Sequence, residues 1–406
     1  MNNYLLAIDS RECIIAHNLL YFFIHLIFSF NWKITTFAVK ISQTDFSTPK
    51  QQFYLSLMMV NKLFNALLAC ALACSATAHA GDEQLPVNLS LEARGDYQRE
   101  YVKDKAVKDN CGFKGQFLNL KVSGTIGEYF DYSFRQRLNN TNFNSNFFDA
   151  TDWLYIDFHP LKQATLSAGK QVVAIGGYEY DRAPIDLYFN SEFWNMVPCY
   201  DWGVSASYTF NNNRDNVLFQ FCESPFRTFY NHVDMYAYNL LWAGRHGMWS
   251  SLWSVNLMEW AQGKFINYIA LGNRFDFTSK LALELDFMNR ASSHQRFLCK
   301  NFSIMGELQY MPSSKVKVFA KATYDVNNSG NSSDLLVHDG TDLTRVGAGV
   351  EYYPLSSYDI RIHAVGSYCW GHNTNPDGMN VDNLTYVTVG ITWKMPILPW
   401  NKLKKN

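Results

Sequence analysis

Histidine, cysteine and acidic side chains could do chemistry in this chain, but their spacing matches no common catalytic pattern. His338 and Asp339, with Asp342 close behind, could in principle activate a water molecule, because a carboxylate beside an imidazole supports general base catalysis. The alternative is a polar loop that contains a histidine. Motifs of the types G-x-S-x-G and H-E-x-x-H and the phosphate loop are absent from the sequence. The sequence therefore predicts a protein that is not an enzyme.

The five cysteines that follow residue 80 stand alone in the sequence. None forms a C-x-x-C pair, and their odd number leaves at least one of them unpaired within a monomer. Isolated thiols do not indicate a zinc site, so we expect neither a bound metal nor a cofactor. They are Cys111, Cys199, Cys222, Cys299 and Cys369.

Charged residues at alternate positions of otherwise apolar segments provide the clearest functional signal. Glu284 and Asp286, for example, alternate with apolar residues. Alternation at period two puts such side chains on one face of a β-strand. Because unpaired charges in a dry interior cost several kcal/mol each, we expect that face to line a water-filled bore. The basic pore-lining candidates are Arg94, Lys121, Arg135, Arg137, Lys170, Arg274, Lys317, Lys321, Arg345 and Arg361.

Acidic residues on the same polar face are fewer than basic ones. Ten basic candidates stand against six acidic ones, and a basic excess would tilt conduction toward anions. Alternatively, most of these charges pair across neighbouring strands and only stiffen the wall. We therefore expect a weak anion preference at most. The acidic positions are Glu92, Asp157, Glu284, Asp286, Glu307 and Glu351.

One connection, Gly176–Met196, is long and aromatic where the other long connections are polar. An exposed loop with so much ring surface would favour aggregation, so we expect this segment to fold inward and narrow the bore. A cap over the rim of the bore is the alternative. The constriction candidates are Tyr178, Glu179, Tyr180, Asp181, Arg182, Asp186 and Glu192.

A scaffold of β-strands must position these residues, and the chain repeats one strand-like pattern from Pro86 onward. Stretches of alternating apolar and polar residues are each followed by a turn, and sixteen such stretches can be counted. Strands of this kind, joined by short turns and longer loops in alternation, are typical of outer-membrane barrels. We therefore predict an all-β fold, a 16-stranded antiparallel transmembrane β-barrel. The predicted strands are 86–100, 114–125, 129–139, 150–159, 164–174, 201–210, 216–224, 235–245, 248–259, 264–277, 281–291, 302–312, 315–325, 344–354, 359–370 and 383–394.

Composition excludes the main alternatives to this fold. Charged residues make up 17% and aromatic residues 16% of the 406 residues, whereas about 25% charged residues is usual for soluble proteins. Apolar residues reach 48%, yet the mean hydropathy is −0.19, so apolar residues are diluted at short range rather than gathered into membrane-spanning helices. A formal net charge of −1 provides no basic surface for nucleic acid, and outer-membrane lipid is the expected partner of the apolar face.

The first eighty residues are expected to lie outside the barrel. Residues 58–80 have the layout of a signal peptide, with a basic start, a short apolar core and Ala78-His79-Ala80 as the cleavage site. Since such a signal must start a chain, we interpret residues 1–57 as an untranslated or disordered extension. A membrane anchor within residues 14–30 is the alternative. Residues 81–406 would then form the outer-membrane β-barrel.

A likeness to a known family begins at Leu166–Gly177, which reads L-S-A-G-K-Q-V-V-A-I-G-G. This stretch resembles the phosphate-selective porin O and P family, especially its members in Bacteroides-like bacteria, and the similarity of pattern extends over most of residues 85–395. The resemblance implies a porin in the outer membrane of a Gram-negative bacterium, commonly a homotrimer, through which small solutes or anions diffuse. Phosphate-selective members cluster arginine and lysine at the constriction, whereas Gly176–Met196 has one basic residue, Arg182, and four acids.

Two functions are consistent with this pattern. The first is a passive diffusion channel for small hydrophilic solutes, with at most a weak preference for anions. The second is a structural or surface-interaction barrel whose pore is blocked. Conductance in a planar bilayer separates the two, because only an open water-filled bore carries ions.

Overall fold

A single antiparallel sheet, closed into a barrel, makes up the described part of the chain. The computed structural model describes residues 87–139, 146–230, 234–293, 295–355, 357 and 359–398. The predicted extension and signal peptide, residues 1–80, lie outside the described residues. Among the residues that the structure describes, no helix is long and apolar enough to cross a membrane.

Sixteen long strands and one strand of two residues form this sheet within the described ranges. Alternating apolar and polar residues, many of them β-branched or aromatic, favour the extended backbone of each strand. The strands are, in chain order, β1 (Val87–Val102), β2 (Lys105–Ala106), β3 (Gly112–Ile126), β4 (Phe130–Arg137), β5 (Thr151–Leu161), β6 (Ala164–Val172), β7 (Tyr200–Phe210), β8 (Asp215–Glu223), β9 (Tyr236–His246), β10 (Trp249–Ala261), β11 (Lys264–Asp276), β12 (Leu281–Ser292), β13 (Asn301–Ser313), β14 (Val316–Asn327), β15 (Asp342–Tyr352), β16 (Ile360–His372) and β17 (Leu384–Leu398).

The long strands pair with their neighbours in sequence, and β17 returns to pair with β1. In this closing ladder Leu91 lies opposite Met395 and Val102 opposite Leu384. Closure leaves no open sheet edge, which lipid would not tolerate because it offers no hydrogen-bond partners. The predicted 16-stranded antiparallel barrel is confirmed. The two-residue β2, which pairs with the end of β1, was not part of the predicted pattern.

The two faces of the wall differ in polarity as the alternation predicts. On β15, Val346 and Val350 are each 39% exposed on the outer face, whereas Arg345 and Glu351 are 8% and 1% exposed on the inner face. Ala348, between the two valines, is also exposed on the outer face. The outer surface is therefore apolar and suited to lipid, and the charged side chains face the bore.

Short turns close one end of the barrel, and longer connections lie at the other. Gly127 and Gly247 form short turns with φ of 63° and 64°, in the left-handed region that glycine enters without a steric penalty. At the opposite end, the connection between β6 and β7 contains two short helices, α1 (Tyr178–Asp181) and α2 (Glu192–Met196). Longer connections of transmembrane barrels are extracellular, so this connection enters the bore from the extracellular side.

Candidate functional site: the bore and its inward-folded segment

The connection between β6 and β7, residues 173–199 and here called the lumen segment, folds into the barrel. Its apolar side chains Ile185, Phe189 and Phe193 are only 0%, 3% and 3% exposed. The Phe193 ring packs edge-to-face against Tyr268 of β11, with 5.8 Å between the ring centroids. Burial of such a side chain stabilises a fold by roughly 1.5–3 kcal/mol, so these rings hold the lumen segment against the wall.

An apolar patch on the inner face of β10 to β12 receives the lumen segment. Met258, Ile266 and Tyr268 in this patch are each 0% exposed. Alternation alone predicted a polar inner face and missed the patch. The signal was nevertheless present, because residues 265–271 are apolar on both faces apart from Asn267. A strand that is apolar on both faces must be covered on both.

Glycines and one aspartate hold the start of the lumen segment. The Gly176 N–H donates to Ser254 Oγ at 2.8 Å, and the Gly177 N–H donates to the Leu252 carbonyl at 3.0 Å. A Cβ on Gly176 would lie 2.6 Å from that carbonyl oxygen, so only glycine permits this approach. The N–H groups of Tyr178 and Glu179 donate to Asp286 at 2.9 and 2.8 Å. Two backbone donors thus satisfy this inward-facing carboxylate.

Ion pairs join the charged constriction candidates to the inner faces of β12 to β16. Arg182 donates to Glu307 at 2.7 Å and also to Glu284. In two further pairs the wall supplies the base and the lumen segment the acid. Lys321 lies 2.6 Å from Glu179, and Arg361 lies 2.9 Å from Asp186. The wall and the lumen segment are therefore complementary in charge, which fixes their register.

Glu192, at the start of α2, is 0% exposed and lies among hydrogen-bond donors. Its carboxylate accepts hydrogen bonds from the Asn373 side chain at 2.9 Å and from the Asn380 N–H at 3.0 Å. Its own N–H donates to Asp325 Oδ2 at 2.7 Å. Burial raises the pKa of the Glu192 carboxyl, and the two donors oppose that shift. Glu192 therefore anchors the extracellular loops to the lumen segment.

Tyr188 ties the lumen segment to β1, β15 and β16. Its hydroxyl donates to Glu351 Oε1 at 2.7 Å, and its ring lies 4.5 Å from the centre of the His363 ring. The Arg94 guanidinium also lies over the Tyr188 ring, 4.5 Å from the ring centroid. Attachments of the lumen segment thus run from β8, where the Ala174 N–H donates to Gln220 Oε1 at 2.8 Å, around to β1. The wall formed by β3, β4 and β5 faces the remaining space.

Three basic residues line the wall opposite the lumen segment. Arg135 and Arg137 both pair with Asp152, at 3.0 and 2.6 Å, and Lys121 lies 3.5 Å from Glu92. The Lys121 and Arg137 side chains are 38% and 34% exposed, whereas that of Arg135 is 2% exposed. Lys121 and Arg137 are therefore the bases of this wall that solvent in the bore reaches. Asp152, which the sequence analysis missed, lies where the β4–β5 register shifts, so simple alternation does not assign its face.

Nine of the ten basic candidates lie on the inner face of the described barrel. Arg274 pairs with Glu284 at 2.6 Å and Lys317 with Glu351 at 3.2 Å. Arg345 donates to Asn380 Oδ1 at 2.7 Å. Such partners favour the alternative in which lumen charges pair with one another. The nine are Arg94, Lys121, Arg135, Arg137, Arg274, Lys317, Lys321, Arg345 and Arg361.

Lys170 differs from the prediction that it lines the bore. It lies in register with Leu154 and Trp202, which are 38% and 39% exposed on the outer face. Leu166 and Ala168 share its face by alternation, so the period-two rule applied from these residues would have placed Lys170 outside. Its ammonium donates to the Phe148 carbonyl at 2.8 Å, at the extracellular end of the wall. This lysine therefore lies at the rim, where it lines a cavity together with Arg137 and Asp152.

Comparison with known proteins agrees with the fold. Residues 87–253 match the sequence profile of the family described as phosphate-selective porin O and P. An anion-selective porin from Comamonas acidovorans is similar in structure, with a TM-score of 0.55 and 12% identity over 76% of this chain and 99% of that chain. In vitro folded OmpT of Vibrio cholerae, in its trimer form, is similar with a TM-score of 0.55 and 13% identity over 77% of this chain and 100% of that chain. A search of the curated proteins finds no match.

The solved structures show the fold alone at these identities, and the family match extends over residues 87–253. That match includes Leu166–Gly177, the stretch on which the resemblance was recognised in the sequence. A channel across an outer membrane requires a closed barrel with an apolar outer face and a polar bore, and this chain has all three features. Over residues 87–253 the chain is similar to the phosphate-selective porin O and P family, and it is an outer-membrane porin of a Gram-negative bacterium.

Proposed function

We propose that this porin is a passive diffusion channel for small hydrophilic solutes, in which the lumen segment forms the constriction. The observation that carries the proposal is the one-sided attachment of the lumen segment. Its contacts lie on β8 to β17 and on β1, for example Arg182 to Glu307 at 2.7 Å and Tyr188 to Glu351 at 2.7 Å. Solutes would pass between it and the charged wall of β3 to β5.

The anion preference of this channel is slight. Lys121 and Arg137 are exposed toward the solute path, and basic groups in a narrow bore attract anions. Asp181 of the lumen segment is exposed as well and opposes them. Asp152 already occupies the guanidinium groups of Arg135 and Arg137, so a phosphate ion would have to displace a carboxylate. Strong selection of phosphate over chloride is therefore not expected.

Reversal potentials under a salt gradient test this proposal directly. The purified protein is inserted into planar bilayers, and the zero-current potential is measured with a KCl gradient and then with phosphate in place of chloride. A small potential of the sign for anions, nearly the same in both salts, supports the proposal. A steep preference for phosphate or for cations contradicts it.

A blocked barrel with a structural or surface-interaction role remains the second candidate. The ion pairs that fix the lumen segment to the wall favour it, since a firmly held plug closes a bore. Incorporation without any conductance step, while the barrel stays folded, would support this candidate and refute the channel.

Assembly into a homotrimer is part of the proposal. It follows from the resemblance to porins that are commonly trimeric, and OmpT of Vibrio cholerae was solved in a trimer form. Chemical cross-linking of the protein in detergent, with mass measured by light scattering, would detect three copies. A mass of one copy at all concentrations would refute the trimer.

A further inference from the structure

A cavity of about 770 Å³ lies at the extracellular end of the barrel, between the lumen segment and the ends of β4 to β8. Sites for small molecules usually measure roughly 300–1,000 Å³, so the cavity has the size of a binding site. It adjoins a split in the wall, because β5 and β6 pair only as far as Leu154 opposite Lys170. Its lining joins Trp194 of the lumen segment to Trp202, which is exposed on the outer face, so the cavity extends through this split.

Aromatic rings form much of the lining of this cavity. Phe148 and Trp202 pack edge-to-face, with 5.6 Å between their centroids. The Tyr200 ring lies 6.1 Å from Trp153 and 5.8 Å from the Arg137 guanidinium. Flat rings beside polar groups bind ligands that present a C–H face and a hydroxyl edge. The lining rings are Phe117, Phe148, Trp194, Tyr200, Trp202 and Tyr230.

The charged side chains of the cavity carry both signs, with three basic residues (Arg137, Lys170 and Arg227) against four acidic ones (Asp149, Asp152, Asp201 and Glu223). The Lys170 ammonium donates to the Phe148 carbonyl at 2.8 Å, and the other two bases are held in ion pairs. Arg137 pairs with Asp152 at 2.6 Å, and Arg227 pairs with Glu223. An ion pair presents donors and acceptors side by side, which matches a hydroxyl group because a hydroxyl both donates and accepts. A phosphate group, by contrast, needs cations that are free to bind it. The chemistry of this lining therefore favours an uncharged, polyhydroxylated ligand over an anion.

We propose that this cavity is a binding site for a short neutral saccharide. The sugar rings would stack on Tyr200 and Trp194, and their hydroxyl groups would bind the paired carboxylates and guanidinium groups. This inference names the class of solute that the proposed channel would carry. It rests on the proposed function only for the passage of the sugar past the lumen segment. Binding in the cavity itself does not require an open bore.

Isothermal titration of the detergent-solubilised full-length protein with maltotriose and with cellotriose tests the site. We expect saturable binding of at least one of these sugars. Tyr200→Ala and Trp194→Ala should each weaken the affinity roughly fivefold, the loss expected when one ring contact is removed. Tyr200→Phe keeps the ring and should bind like the wild type. Tyr208→Ala, which alters a tyrosine on the same face of the same strand but outside the cavity lining, is the matched control and should have no effect.

Several results would overturn the inference. It fails if the folded protein binds neither sugar, if it binds inorganic phosphate alone, or if the two alanine variants bind sugar as tightly as the Tyr208→Ala control. Single-channel recordings keep the two proposals apart. Sugar binding by a protein that never conducts would leave this site standing and refute the channel, whereas conduction without sugar binding would do the reverse.

Discussion

Arg182 of the lumen segment donates to Glu307 of β13 at 2.7 Å and so ties the constriction to the barrel wall. The same guanidinium also donates to Glu284 of β12. Glu284 and Glu307 lie opposite each other in the β12–β13 ladder, and their side chains are only 3% and 2% exposed. Like charges in that position repel unless a cation lies between them. The lumen segment supplies such a cation.

Arg182→Gln should therefore destabilise the folded barrel by about 2 kcal/mol, less than the roughly 3–5 kcal/mol for removing one partner of a fully buried pair, because the arginine is partly exposed. Urea unfolding in lipid vesicles, followed by tryptophan fluorescence, measures the change. Lys394→Gln is the control, since Lys394 lies 3.5 Å from Asp186 and is 42% exposed. Adding Glu307→Gln to Arg182→Gln should recover part of the loss. Equal stability of Arg182→Gln and Lys394→Gln would show that this ion pair does not anchor the lumen segment.

Deletion of residues 178–194 should raise the single-channel conductance, because it removes the helices and rings that occupy the bore. Heat-dependent mobility on gels and circular dichroism verify that the barrel is still folded. Unchanged conductance of a folded deletion variant would mean that this segment does not limit the current, and the constriction would have to lie elsewhere.

The strands and their faces could be predicted from the sequence because lipid and water impose opposite demands on neighbouring side chains. Val346 and Val350 must meet lipid and Arg345 must not, so the period-two pattern suffices. The prediction placed Lys170 on the inner face because it did not take into account the apolar residues Leu166 and Ala168, which share the face of Lys170 by alternation. It does not apply to Asp152, where the register shifts.

The partners inside the bore could not be predicted in the same way. The aromatic content of Gly176–Met196 indicated that the segment folds inward, but its contacts depend on which strands stand beside each other after closure. Glu179 reaches Lys321, and Glu192 reaches Asn373, over separations of more than a hundred residues. Local patterns contain no information on such pairs. They follow from the order of the strands and from the apolar patch around Tyr268 that receives the lumen segment.

Neutralising the exposed bases of the β3–β4 wall should shift the reversal potential toward cations. We expect this of the double variant Lys121→Gln and Arg137→Gln, because charges in a narrow bore are screened less than exposed ones. Arg99→Gln removes a positive charge from the exterior, on the same face as the outward Tyr97, and should leave the potential unchanged. If the double variant, like the Arg99→Gln control, has the reversal potential of the wild type, the ion preference is set by other residues.

Neutralising the paired bases Arg135 and Arg137 together should give a shift of the same sign. Their common partner Asp152 would then stand without either arginine, so the net charge of these three side chains would change from +1 to −1. Reversal potentials of this variant should therefore lie further toward cations than those of Arg137→Gln alone. Identical potentials would mean that Asp152 is protonated or lies off the ion path.

Ala348→Arg should destabilise the barrel by roughly 2–4 kcal/mol, the cost of an arginine on the lipid face near the bilayer midplane. Ala348 lies between the exposed Val346 and Val350 on β15, so an arginine there has no path into the bore. Ser313→Arg is the control, because Ser313 is exposed at the end of β13 where the strand meets the headgroup region, and its cost should be about 0–1 kcal/mol. Urea unfolding in vesicles measures both. An Ala348→Arg barrel as resistant as the wild type would place this face of β15 away from lipid, as at a contact between copies or in the bore.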